Sequence, residues 1–192
     1  MDICKMLQLN FSPFPVLLTE RLQLRAVMAT DAKEIFFLRS DEQVLRYLDK
    51  QPAKSVDEAV EFIERIQKDQ QNEDGILWGI ALKDNPAIIG SIGFWRMEKE
   101  HYRAEIGYAM YPQFQGKGIM TEAMKAVLKY GFEKMRLHSV EANVNPGNEA
   151  SIKLLEKNYF VKEGYFKENY FYNGQFLDSA IYSLLANKYL QQ

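Results

Sequence analysis

The sequence predicts a single mixed α/β domain, and three observations support that prediction. The chain has 192 residues, the length of one ordinary domain that can bury a core. Its apolar fraction of 47% and charged fraction of 26% are typical of a globular protein and argue against disorder. Helical and strand-like periodicities alternate along the whole chain, without repeats or a linker.

The first third of the chain predicts one strand and three helices. Apolar and polar residues alternate over 18–27, which indicates a strand with one buried face. Two short helices over 31–39 and 41–48 follow. The pattern over 55–71 predicts a longer helix, because Ser55 begins a capping box and apolar residues recur on one side.

Three strands are predicted next, over 76–82, 88–95 and 102–111. Polar and turn-forming residues over 83–86 join the first two strands. The third strand ends at Pro112, because proline cannot donate a hydrogen bond to a neighbouring strand. This central part of the chain therefore contributes most of one sheet.

A polar loop over 113–118 then opens onto a predicted helix over 119–135 and a strand over 137–144. Asn145 and Pro146 are predicted to be the N-cap and first residue of a further helix that ends near Lys157.

Two strands close the chain, over 160–171 and 177–185. A turn at Asn173-Gly174 joins them, as this pair favours a tight hairpin.

Composition excludes several classes of function. With 24 basic and 26 acidic residues the chain lacks the basic surface of a nucleic-acid-binding protein. No apolar run approaches the ~20 residues of a membrane span, and we identify no signal peptide. The single cysteine, Cys4, excludes an internal disulfide, which favours a cytoplasmic location, and it lacks the nearby histidine of a covalent nucleophile. The two histidines lack partners at ligand spacing, so no metal site is expected.

The loop over 113–118 has the layout of an anion site. Unpaired amides and the dipole at a helix N-terminus attract negative charge, glycine lets the backbone approach a phosphate, and Lys117 adds a cation. A Walker loop is excluded because Gly118 follows Lys117 where serine or threonine is needed. A dinucleotide fingerprint is excluded because Thr121 stands where a third glycine is needed. On spacing alone, Gly116 and Gly118 could equally serve only the turn.

The stretch EIGYAMYPQFQGKGIMTEAM over 105–124 resembles the acyl-CoA-binding motif of the GNAT superfamily of N-acetyltransferases. Its signature corresponds to Gln115, Gly118 and Met120, where Met120 departs from the usual small residue. The form Gly-Lys-Gly-x-Met-Thr-Glu-Ala resembles the branch that contains the ribosomal-protein N-terminal acetyltransferases.

Three further segments resemble the same branch: LTERLQLR over 18–25, NPGNEASIKLLEKNYF over 145–160 and NGQFLDSAIYSLL over 173–185. The resemblance implies a mixed, mostly antiparallel twisted sheet flanked by helices. It also implies one acetyltransferase domain over 18–187, preceded by an extension over 1–17.

The resemblance implies that acetyl-CoA is the co-substrate, with its pyrophosphate on the loop over 113–118 (the glycine loop) and its pantetheine arm along the strand over 102–111. The residues expected to contact acetyl-CoA are Tyr108, Ala109, Met110, Gln115, Gly116, Lys117, Gly118, Ile119, Met120, Asn143 and Asn148. The family usually has glycine after the second cofactor-side helix. Tyr159 stands at that position, and we expect Asn158 to adopt the left-handed conformation one residue earlier.

Glu105 is the candidate general base. It shares one face of its strand with Gly107 and Ala109, whose small side chains suggest close approach by a ligand. The alternative is a surface carboxylate paired with Arg103 or Arg96.

Ser151 is the candidate acid for the leaving thiolate, as the branch resemblance implies for the serine of the Asn-x-x-Ser pattern. Its alternative role is a hydroxyl bonded back to its own helix.

The expected acceptor is a primary amine, most simply the α-amine of a protein such as a ribosomal protein. At pH 7 an α-amine is roughly one-seventh neutral and a lysine only about once in 2,500, so the α-amine is the easier nucleophile. The alternatives are a small amine (a polyamine, amino sugar or antibiotic) and a non-catalytic acyl-CoA-binding module. A polycation would need a carboxylate cluster, for which Asp41, Glu42, Glu98 and Glu100 are candidates. We expect a monomer or a homodimer.

Overall fold

The computed structural model describes residues 6–191 and contains one sheet within them. Its eight strands are β1 (Leu17–Leu18), β2 (Leu22–Ala26), β3 (Ile76–Leu82), β4 (Asn85–Glu98), β5 (Arg103–Met110), β6 (Ser139–Val144), β7 (Val161–Tyr172) and β8 (Gln175–Leu185). They lie in the order β1-β2-β3-β4-β5-β6-β8-β7. All neighbours are antiparallel except β5 and β6, which are parallel. The predicted mixed, mostly antiparallel sheet is confirmed.

Six α-helices flank this sheet in the part of the chain that the structure describes. They are α1 (Ala32–Ser40), α2 (Glu42–Leu45), α3 (Val56–Gln71), α4 (Ile119–Tyr130), α5 (Glu149–Lys157) and α6 (Ala186–Tyr189). The order of the other elements matches the prediction, whereas α6 was not predicted. The helix predicted over 41–48 is shorter, and the one predicted over 119–135 ends in a π-helical turn, Gly131–Met135.

The first predicted strand is divided into β1 and β2 by a tight turn. The amide of Thr19 donates to the carbonyl of Leu22 at 3.0 Å, and the amide of Leu22 donates to the Thr19 hydroxyl at 3.0 Å. The turn predicted over 83–86 is also shorter, because Asn85 and Pro86 already belong to β4.

The prediction that Asn145 and Pro146 begin a helix is wrong. Asn145 accepts a hydrogen bond from the amide of Gly147 at 2.9 Å, which folds this segment into an Asx-turn. The N-cap is Asn148, whose Oδ1 accepts from the amide of Ser151 at 3.1 Å. Helix α5 therefore begins at Glu149, and Ser151 lies in its first turn.

The end of α5 also differs from the expectation. Asn158 has a φ of −100°, and Tyr159 has a φ of +66°, so Tyr159 itself adopts the left-handed conformation. Asn158 is held elsewhere, because its side-chain amide donates to the carbonyl of Leu154 at 2.8 Å and is buried. The reversal of the chain therefore falls one residue later, on the tyrosine.

Two apolar cores cover the two faces of the sheet. Alternation along a strand separates them, since Leu77 packs into the core with α1 and α3, while its neighbour Trp78 is fully buried in the core with α4. Ile88 and Ile89 divide between the two cores in the same way. Both faces are thus buried in the centre of the sheet.

The described part of the N-terminal segment lies against the body of the protein. Phe11 is buried in the larger core, and the carbonyl of Pro15 accepts a hydrogen bond from the Trp78 indole at 2.7 Å. The amide of Gln8 donates to the carbonyl of Met135 at 2.8 Å. Cys4 lies outside the described residues. No helix among residues 6–191 has the length and apolarity needed to cross a membrane.

Candidate active site

The site begins where β5 and β6 separate. The two parallel strands pair only at Arg103–Ser139, Ala104–Val140 and Glu105–Glu141. Beyond Glu105, β5 remains paired with β4 as far as Met110, whereas β6 follows β8. A gap therefore opens between two strands in the middle of the sheet.

A cavity of about 910 Å³ occupies this gap and continues past the sheet towards α1 and α3. Its walls in the gap include Gly107, Tyr108 and Ala109 of β5, Asn143 of β6, and Asn148 and Ser151 near the start of α5. Glu105 lines the same cavity. The structure thus brings together six of the residues predicted for the site: Glu105, Tyr108, Ala109, Asn143, Asn148 and Ser151.

Glu105 is a buried carboxylate, with 8% of its surface exposed. The Arg96 guanidinium donates to its Oε2 at 3.1 Å, while Arg103 pairs with Glu98. Burial raises the pKa of Glu105, and the ion pair with Arg96 offsets only part of this rise. The predicted ion pair with Arg96 is present, but the carboxylate faces the cavity. Such a group is suited to accept a proton from a ligand near neutral pH.

The Ser151 hydroxyl lies 2.6 Å from the phenol oxygen of Tyr108, and either group can be the donor. It therefore bonds across the cavity wall to another element and not back to its own helix. Burial raises the pKa of Tyr108 to about 12, so the phenol stays protonated at neutral pH. The two hydroxyls form one unit that can donate a proton into the gap.

The glycine loop lies at the start of α4, outside the cavity lining. Gly116 and Gly118 have φ values of +71° and +75°, which only glycine adopts without strain. Apart from its chain neighbours, no described atom lies within 4 Å of the position that a Cβ on Gly116 would occupy, so this backbone is accessible. These features fit a phosphate resting on main-chain amides.

Several predicted loop side chains face the protein. The Gln115 amide donates to the carbonyl of Met110 at 3.0 Å, and Lys117 lies over the Phe114 ring, 5.6 Å from its centroid. Met110 and Ile119 are buried, and Met120 packs against the larger core. Met120 therefore does not crowd the loop. All four residues from Gln115 to Gly118 are exposed, so the backbone of the loop is open to an anion from solvent.

Sequence reasoning missed the brace that holds this loop. The Arg21 guanidinium donates to the carbonyl of Lys117 at 3.1 Å and to Oε2 of Glu122 at 2.7 Å. Glu122 also accepts from the Thr19 hydroxyl at 2.5 Å. Burial acts to raise the pKa of Glu122, but bonds from Thr19 and Arg21 outweigh it and leave the pKa below its ordinary value. About a hundred residues separate these partners, so no local pattern could have linked them.

A second missed feature is a pair of hydrogen bonds in the wall of the cavity. The Tyr170 hydroxyl of β7 donates to Asp49, and the Gln51 amide donates to the Asn173 side chain at 3.1 Å. These bonds tie the loop between α2 and α3 to the tip of the β7–β8 hairpin. Asp49, Gln51 and Tyr170 all line the cavity.

Comparison with known proteins identifies relatives of the same architecture. The profile of the acetyltransferase (GNAT) domain matches residues 21–161. The uncharacterized N-acetyltransferase YoaA of Bacillus subtilis (strain 168) is 37% identical over 172 residues, which cover 90% of this chain and 97% of the relative.

Two solved structures show the fold. The spermidine N-acetyltransferase from Vibrio cholerae in complex with CoA and spermine is 27% identical and superimposes with a TM-score of 0.80 over 90% of this chain and 99% of that one. The ribosomal-protein-S5-alanine acetyltransferase from Vibrio fischeri superimposes with a TM-score of 0.78 over 91% and 98% of the chains, at 23% identity. The second likeness is one of fold alone.

Proposed function

The chain belongs to the acetyltransferase (GNAT) family and is an acetyl-CoA-dependent N-acetyltransferase, and from this premise we propose that its acceptor is the N-terminal α-amine of a protein. The observation that carries the proposal is the cavity beside Glu105. Among its described lining residues it combines one buried carboxylate base with no cluster of unpaired carboxylates for a polycation.

Acetyl-CoA supplies the acetyl thioester. The gap between β5 and β6 fits its pantetheine arm, because the edge of β5 beyond Glu105 is not paired with β6 and can accept an added strand. Asn143 and Asn148 line the same gap and offer amide groups. The amides at Gly116 and Gly118 suit the pyrophosphate, and Arg21 holds their loop through the carbonyl of Lys117.

Glu105 removes a proton from the attacking amine, directly or through one water. Its pKa, raised by burial, makes it a stronger base than an ordinary carboxylate. The nitrogen forms a bond to the acetyl carbon, the carbon–sulfur bond breaks, and the Tyr108–Ser151 pair returns a proton to the departing thiolate. Each group thus handles one proton, and no acyl-enzyme is needed.

The lining of the cavity supports an α-amine over a polyamine. The four carboxylates considered for a polycation, Asp41, Glu42, Glu98 and Glu100, lie outside the cavity lining in the described part of the chain. Asp41 instead caps α2, and Glu98 pairs with Arg103.

Most carboxylates that do line the cavity already have partners. Asp49 accepts from Tyr170, Asp74 pairs with Lys99 at 3.0 Å, and Glu105 pairs with Arg96. Asp69 is the remaining carboxylate of the described lining. One carboxylate is a poor site for a molecule with three or four positive charges.

Thiol release from acetyl-CoA tests this proposal. We expect turnover with peptides that begin with free alanine, serine or methionine and none with the same peptides blocked at the N-terminus. The N-blocked peptides are the matched control, because they keep every other contact. Release with spermidine alone would replace the α-amine by a polyamine, the substrate in the names of three relatives.

A further inference from the structure

We propose that Arg39, Lys50 and Arg65 form an anion-binding subsite in the part of the cavity that lies against α1 and α3 (the acceptor half), and that this subsite binds an acidic side chain near the N-terminus of the acetylated peptide. This inference rests on the proposed function and names the class of peptide that the enzyme prefers. Two observations support it: the three cations line one cavity, and none of them has an ion-pair partner within the described residues.

The three cations come from three separate elements and line one cavity. Arg39 is in the last turn of α1, Lys50 is in the loop after α2, and Arg65 is in α3. Arg39 and Arg65 share one aromatic ring, because their guanidinium carbons lie 4.1 Å and 5.2 Å from the centroid of Phe62. The fold thus holds three like charges close together, where they repel each other.

Within residues 6–191, none of these three side chains forms an ion pair. The Nε of Arg39 is buried and has no hydrogen-bond partner. Burial lowers the pKa of Arg39, and the nearby charge of Arg65 lowers it further. Burial, together with Arg39 and Arg65, also lowers the pKa of Lys50. The unsatisfied Nε of Arg39 is costly unless an acceptor binds there. Lys50 and Arg65 are exposed, so an anion that enters from solvent can reach them.

Nearby carboxylates act on the cluster only from a distance, since Glu58 attracts Arg39 and Glu105 attracts Lys50 without an ion pair in the described structure. Asp69 lies one helical turn beyond Arg65, yet the two form no ion pair in the described structure. Glu58 accepts from the amide of Lys54 at 3.1 Å, and Glu105 is held by Arg96. Direct ion pairs to these cations are therefore left for an anion from outside the chain.

An acidic peptide fits these groups better than a polyamine does. The subsite and Glu105 line the same cavity, so an amine at Glu105 can place its following residues towards the cations. Guanidinium groups bind carboxylates through paired hydrogen bonds, and two of the three cations are arginines. A polyamine would meet like charge at the same place.

The test compares two peptides with a free N-terminal serine, one followed by two glutamates and one by two glutamines. We expect wild-type kcat/KM to be about 10-fold higher for the glutamate peptide, since each partly exposed ion pair contributes up to about 5-fold. Arg65→Gln and Lys50→Gln should each lower this ratio, and Arg65→Glu should favour a peptide with two lysines. Lys68→Gln, an exposed lysine of the same helix outside the cavity lining, is the matched control.

The outcomes separate the subsite from the proposed function. Equal kcat/KM for the two peptides, or a ratio unchanged in Arg65→Gln and Lys50→Gln, overturns the subsite and leaves α-amine acetylation intact. Free glutamate is tested as a third substrate. If free glutamate is acetylated and neither peptide is, the peptide acceptor is overturned, and the subsite holds if Arg65→Gln weakens the acetylation of free glutamate. Turnover of spermidine alone overturns both. Thermal melting of each variant with acetyl-CoA confirms that it is folded.

Discussion

Glu105 is the single residue on which the proposed proton transfer depends most. Replacing its carboxylate by the amide in Glu105→Gln keeps the shape but removes the base. We expect kcat to fall by about 10²–10⁴-fold, the usual contribution of a general base. Acetyl-CoA should still raise the melting temperature, because Glu105 lies apart from the glycine loop. Thiol release and thermal melting of the same preparation measure the two effects.

The pH dependence follows from the direction of the Glu105 pKa. The base must be ionised, so kcat/KM should fall as pH drops below that pKa, and burial moves this limb upward towards neutral pH. Because Arg96 lowers the pKa of Glu105, Arg96→Gln should move the limb to still higher pH. A raised carboxyl pKa also means that ionisation lowers stability as pH rises, so Glu105→Gln should not lower stability at pH 7. An acid limb that stays in place in Arg96→Gln would contradict the assignment.

The hydroxyls of Tyr108 and Ser151 are expected to act as one unit. Tyr108→Phe and Ser151→Ala each remove one oxygen from a pair separated by 2.6 Å. If the pair carries one proton, the double variant should lose little more kcat than the worse single variant. A double-mutant cycle on kcat measures this coupling. Fully additive losses would mean that the two hydroxyls act independently.

The end of α5 provides a test of backbone strain. Tyr159 has a φ of +66° and is 57% exposed, so its ring gains little from packing. Tyr159→Gly should stabilise the protein by about 0.5–1 kcal/mol, since relief of about 1–2 kcal/mol exceeds the added entropy of the unfolded chain. Asn158→Gly is the control and should destabilise, because it removes the bond to Leu154. Urea unfolding measures both, and the opposite ranking would contradict the left-handed assignment.

The hairpin of β7 and β8 contributes Tyr170 to the wall of the cavity. Tyr170→Phe removes the hydroxyl that holds Asp49, next to Lys50. We expect a several-fold rise in KM for the peptide, little change in kcat, and no change in KM for acetyl-CoA. Tyr165→Phe is a matched control, because Tyr165 bonds Asp178 on the same hairpin and lies outside the cavity lining. Equal effects of the two changes would remove the role given to Tyr170.

Local sequence patterns predicted most elements, and they failed where a distant or competing partner decided. The periodicity over 55–71 gave α3 and its Ser55 cap because both depend on neighbouring residues. Two asparagines compete for the start of α5, and Asn148 caps it while Asn145 forms a turn. Tyr159 is left-handed because Asn158 is already bonded to Leu154.

In the molecule as a whole, the site joins segments that are far apart in the sequence. The motif over 105–124 indicated Glu105, Tyr108 and the glycine loop, because these residues fall within the stretch that resembles the family's acyl-CoA-binding motif. It gave no sign of Arg21, which braces the loop from β2's side of the sheet, or of the cations that line the acceptor half. Those groups meet only through tertiary packing, and no spacing along the chain encodes them.

The chain's near-neutral net charge also hides a local imbalance. The 24 basic and 26 acidic residues almost cancel, yet Arg39, Lys50 and Arg65 remain unpaired at one end of the cavity in the described structure. Total charge is therefore a poor guide to an acceptor, whereas the lining of the cavity is a direct one. The same lining argues for an acceptor with one amine and a nearby acid.

The most direct test of the account is a competition within one peptide. A peptide with a free N-terminal serine, two glutamates and one internal lysine is incubated with acetyl-CoA, and tandem mass spectrometry locates the acetyl group. We expect acetylation of the α-amine to exceed acetylation of the lysine by about 10²–10³-fold, because at pH 7 the α-amine is neutral more often than the lysine by about that factor. Acetyl groups on the lysine, or none on this peptide while added spermidine is acetylated, would contradict it.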